Sequence, residues 1–72
     1  MTEEAIKELE EGFAAQGQYI NRHPSDNTGA FLAELRDCII MVAIVVHKLN
    51  PEYDIERFYS NCGYVGDHPV HL

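Results

Sequence analysis

Apolar and polar positions divide the chain into three striped stretches separated by two runs of turn residues. In the first, from Thr2 to about Asn21, Ile6, Leu9, Phe13 and Ile20 recur at heptad-like spacing, and Gln16 fills the polar gap. Glu4, Glu8 and Glu11 take the opposite face. One apolar stripe with a charged back predicts an amphipathic helix. Thr2 can cap it, and Glu3 and Glu4 fall in the first turn, where the helix dipole favours negative charge. Gly12 and Gly17 each weaken such a helix by roughly 1 kcal/mol relative to Ala, unless they mark close approach to a neighbour. Tyr19 fits either face.

The central stretch, Thr28 to Leu49, carries the run Cys38–Val46, CIIMVAIVV, with no polar side chain. Its β-branched content would suit a buried strand. The flanks favour a helix. Leu32, Leu35, Ile39, Val42, Val46 and Leu49 step by three and four, and Ala30 to Arg36 contains mostly good helix formers. Asp26, Asn27 and Thr28 offer capping oxygens before it, and Pro51 disfavours helix at Asn50. An ideal helix over this stretch spans on the order of 33 Å.

Between these two stretches, Asn21 to Gly29 (NRHPSDNTG) is a loop of breakers and capping residues, with His23 an exposed histidine within it. A short loop between two striped helices makes an antiparallel αα-hairpin the expected arrangement. After Asn50, Asp54 can cap a short third helix whose Ile55, Phe58, Tyr59 and Cys62 share one side, with Gly63 as its stop. Phe58 and Ile55 then fold back onto the end of the hairpin. The expected fold is all-α: a helical hairpin plus a short third helix in one domain, residues 1–63, followed by a tail, residues 64–72. That tail, YVGDHPVHL, has no period and is expected either loosely ordered or laid across a groove.

The central helix has more apolar surface than one stripe. Ile40, Met41, Ile44 and Val45 lie off it. Fully burying such a side chain contributes roughly 1.5–3 kcal/mol, and a protein this small has little chain left to cover four more. These residues are therefore the expected interface of a homo-oligomer. A membrane span is rejected, because the uninterrupted run is about half the roughly 20 residues required and charges bracket it.

Charge narrows the partners. The chain has 72 residues and a formal net charge of −7. Its Lys7, Arg22, Arg36, Lys48 and Arg57 are scattered, which argues against direct nucleic-acid binding. The acidity either serves solubility or forms a ridge that engages a basic surface of another protein, with Glu4, Glu8 and Glu11 as its contact. No N-terminal segment combines basic residues with an apolar core, so no secretory signal and a reducing compartment with both thiols free are expected, and Cys38 in the apolar run is expected to behave as a small hydrophobe.

Candidate chemistry is thin. Cys62, His68 and His71 form C-x5-H-x2-H, to which Cys38 or His47 could add a fourth ligand, but the spacing matches no strong zinc pattern. No metal site and no cofactor are expected. Cys62 with His68 or His47 would need an orienting acid and an oxyanion loop, and Gly63 and Gly66 form no phosphate loop. The chain is not expected to be an enzyme.

The string Asn50–Tyr64, NPEYDIERFYSNCGY, resembles the C-terminal signature of small uncharacterised phage and prophage proteins. Those pair a helix rich in Ala, Val and Leu with an Asn-Pro-x-aromatic-Asp turn, then Arg-Phe and a terminal Cys-Gly. Asn50, Pro51, Tyr53, Asp54, Arg57, Phe58, Cys62 and Gly63 match it, and the resemblance covers roughly Phe31 to Gly63. It implies a phage or mobile-element origin and a place in the host cytoplasm. It also implies binding to a host protein, such as a defence complex that the phage protein inhibits by occluding a surface. Two other readings stand beside this one. In the first, an oligomeric sponge binds a small phosphate-containing ligand through Arg22, Lys48 and Arg57 between subunits. In the second, the chain is a structural oligomerisation module, with or without a metal staple.

Overall fold

The computed structural model describes residues 1–69, and they form an all-α protein of three helices: α1 (Glu3–Arg22), α2 (Thr28–Leu49) and α3 (Ile55–Asn61). The two long helices make an antiparallel hairpin, and α3 packs against both. The open end of the hairpin is tied shut where Asn50 Nδ2 donates to the carbonyl of Met1 at 2.8 Å.

Each helix end has a local cause. Thr2 Oγ1 accepts from the Ala5 amide and Asp54 Oδ1 from the Arg57 amide, so α1 and α3 begin at capped residues. The start of α2 differs from the expected cap. Asn27 makes no side-chain bond there. Ser25 Oγ accepts from the Asn27 amide instead, and Thr28 Oγ1 reaches back to accept from the Ser25 amide at 2.8 Å. These bonds, with the Thr28 hydroxyl also donating to the Ser25 carbonyl, close the turn that leads into α2 rather than capping its first amides. At the end of α3, Gly63 has φ +76 and donates to Ser60 O, while Tyr64 donates to Tyr59 O. That pair of bonds is a Schellman motif. Its usual apolar contact is the edge-on packing of Tyr64 on Tyr59, with ring centroids 5.2 Å apart.

The core is Ile6 of α1, Ile39, Ala43 and Val46 of α2, and Phe58, Tyr59 and Cys62 of α3. Phe13, Leu35, Val42, Ile55 and Tyr64 pack around it. Ala43 has no exposed surface and lies within this core, where its small side chain leaves little room for a larger one.

Two expectations for α2 are corrected. Leu49 does not stay on the buried stripe and is 58% exposed. Leu35, Val42 and Leu49 follow a seven-residue repeat, which drifts by about 20° per heptad around a straight helix, so the last member leaves the core. Cys38 is exposed rather than buried. It sits one residue before Ile39 and so points about 100° away from the buried line. Tyr64 and His68 of the tail lie against Tyr59, the His68 ring centroid 5.3 Å from it, whereas His71 lies outside the described residues.

Two substitutions test this packing by chemical denaturation. Ala43→Leu overfills the core and lowers stability by about 1–3 kcal/mol, while Ala33→Leu at an exposed position stays close to wild type. Gly63→Ala forces a side chain into the left-handed region and lowers stability by about 1–2 kcal/mol. Equal midpoints for Ala43→Leu and Ala33→Leu would contradict the placement of Ala43 in a filled core.

Candidate functional site

An open polar cleft of about 660 Å³ lies between α1 and α3, lined by Glu3, Glu4, Lys7, Glu10 and Glu11 from α1, and by Tyr53, Arg57 and Asn61. Its floor is Glu10, a carboxylate only 4% exposed. On α1, Glu10 falls four residues after Ile6 and three before Phe13, which places it on the inward face.

A buried carboxylate requires partners. Glu10 Oε2 accepts from the Tyr53 hydroxyl at 2.7 Å and from Asn61 Nδ2 at 3.1 Å. Tyr53 comes from the turn before α3 and Asn61 from its last residue. The single carboxylate oxygen therefore clamps both ends of α3 onto α1. Burial, reinforced by the hydrogen bond and the nearby charge of Glu10, pushes the Tyr53 hydroxyl up from 10.0 to about 12. Burial, and secondarily Glu10, also pushes the Cys62 thiol up from 9.0 to about 12. Tyr59 is raised as well, mainly by its burial. Its hydroxyl has no hydrogen-bond partner among the described residues.

The acidic residues singled out from the sequence divide. Glu4, Glu8 and Glu11 are all exposed on α1, and Glu4 and Glu11 line the cleft. Glu8 is not among the lining residues. Glu10 belongs to neither the apolar stripe nor the acidic face that the sequence pattern marks out. The signal was its spacing from Ile6 and Phe13.

The apolar residues of α2 also divide. Met41 is 68% exposed, and Ile44 and Val45 are exposed with it. Ile40 is half-buried and packs against the core. Of the cations, Arg57 lines the cleft, while Arg22 and Lys48 lie near opposite ends of the hairpin. Among the described residues, no three His, Cys, Asp or Glu side chains are grouped so as to hold a metal ion. No helix of the described residues is long and apolar enough to cross a membrane.

The raised hydroxyl and thiol make stability pH-dependent in one direction. Each group keeps its proton longer in the folded state than in the unfolded chain. Its stabilising contribution is full below its ordinary pKa and is lost as pH rises towards about 12. The denaturation midpoint is expected to fall from pH 9 upwards. Tyr53→Phe removes the hydroxyl's share of that fall between pH 10 and about 12 and lowers stability at neutral pH by about 1–3 kcal/mol, because Glu10 loses a donor. A Tyr53→Phe midpoint equal to wild type at pH 7 would show that the clamp is idle. Comparison with known proteins adds no relative: no family model, no curated protein and no solved structure matches the chain.

Proposed function

We propose that the protein is a non-catalytic binding protein that occludes a basic surface of another protein with the acidic wall of α1. The observation that carries this reading is the cleft. Glu3, Glu4 and Glu11 line a concave surface with a fixed floor, on a chain of net charge −7. A concave carboxylate surface of this kind suits a projecting Lys or Arg side chain, and the net charge steers a basic partner towards it. Lys7 and Arg57 at the same cleft favour a partner that also offers a carboxylate.

The same cleft speaks for binding over chemistry. A general acid or base works best with a pKa near the operating pH, and a nucleophilic cysteine is a thiolate. Tyr53 and Cys62 are both held protonated, up to about 12, and the buried oxygen of Glu10 is occupied by two donors. The resemblance of the Asn50–Gly63 string to small phage proteins extends the proposal to its setting. The partner is then a bacterial host protein met in the cytoplasm, of the kind represented by a defence complex.

The test is capture from bacterial lysate at low ionic strength, with elution by salt. Protein carrying Glu4→Gln, Glu8→Gln and Glu11→Gln together is expected to lose the salt-eluted partner. A control with the same charge change on exposed residues elsewhere, Glu52→Gln, Glu56→Gln and Asp67→Asn, is expected to keep it. Equal retention by both variants would sink the acidic-wall reading.

A further inference from the structure

We infer that two copies of this chain pair antiparallel through the outer face of α2, with Met41 on the two-fold axis. This inference concerns the face of α2 away from the core and does not rest on the acidic-wall reading. On an ideal helix the exposed arc of α2 is centred on Glu34, Met41 and Lys48, seven residues apart. Cys38, Val45 and Leu49 flank that line on one side, and all three are exposed.

Charge selects the orientation. Glu34 and Lys48 lie at equal distances on either side of Met41. A two-fold axis through Met41 sets Glu34 of one copy against Lys48 of the other, twice. A parallel pair would set Glu34 on Glu34 and Lys48 on Lys48, two like-charge contacts on an apolar seam. Shape selects it as well. Beside the N-terminal half of α2 lies a mostly apolar groove of about 380 Å³, with Tyr19, Phe31 and Cys38 among its lining. Beside the C-terminal half, Val45 and Leu49 project on the same side of the helix. The antiparallel two-fold carries the projecting residues of each copy onto the groove of the other. Groove and projection at opposite ends of one face are what an isologous interface requires. Ile40 takes no part, since it packs on its own core.

Native mass spectrometry of the full chain and disulfide trapping test the pairing. All trapping variants carry Cys38→Ser, and all substituted positions are exposed, with circular dichroism confirming the helical fold. Met41→Cys is expected to cross-link to its own copy under mild oxidation, because the two Cβ atoms face each other across the axis. Glu34→Cys alone and Lys48→Cys alone are expected to stay uncross-linked, their like positions being about 21 Å apart along the seam. A mixture of the two is expected to give one interchain disulfide. Glu34→Lys and Lys48→Glu are each expected to raise the dimer dissociation constant by about tenfold, and the double swap to restore it. Self-cross-linking of both Glu34→Cys and Lys48→Cys would mean a parallel pair and overturn the proposal. A wild-type monomer with no cross-link in any variant would overturn it equally.

Discussion

Burial of the inner face of α3 is the constraint on which the other features rest. A helix of seven residues has no stability of its own in water. It exists because Phe58, Tyr59 and Cys62 are buried against Ile6, Ile39, Ala43 and Val46. The same contact gives the αα-hairpin its third side, since two striped helices alone leave much of their inner faces wet. It also sets the height of the turn before α3, and with it the position of Tyr53. The Schellman end of α3 then turns the following chain so that Tyr64 and His68 come back onto Tyr59.

Glu10 shows how a charge is tolerated next to that core. A buried carboxylate is unfavourable without partners and contributes once they are fixed. Here the donors come from the two ends of α3, so orienting them and docking the helix are one event. The arrangement leaves the cleft a rigid floor. The carboxylates at its rim, Glu4 and Glu11 among them, stay exposed. Burial, with the charge of Glu10 second to it, holds the Tyr53 hydroxyl and the Cys62 thiol protonated.

α2 is apolar on nearly all sides, yet its two faces differ in make-up. The inner face is uneven in size, with Ala43 between Ile39 and Val46, and that unevenness admits α3. The outer face carries Glu34 seven residues before Met41 and Lys48 seven residues after it, with Asp37 beside that line. Hydrophobicity alone cannot distinguish the faces. The charge placement does, because only the outer line carries complementary charges symmetric about its centre.

The sequence by itself determined the elements. The three- and four-residue steps of α1, α2 and α3, the capping oxygens of Thr2 and Asp54, and Gly63 as a stop all act within one or two turns of chain. Such local interactions are readable wherever they occur, and with the short loops they fix an αα-hairpin with a third helix. The acidic rim was legible for the same reason, since exposed glutamates on one helix face need no neighbour to place them. Only the tertiary structure decided which apolar residues are buried. Ala43 became part of the core although its side chain carries little hydrophobic signal, Leu49 went outward because small angular drifts accumulate along a straight helix, and Cys38 because it lies one residue off the buried line. It also decided that Glu10 is a clamp, because its role depends on Tyr53 and Asn61, which are more than 40 residues away in the chain and meet it only when α3 docks.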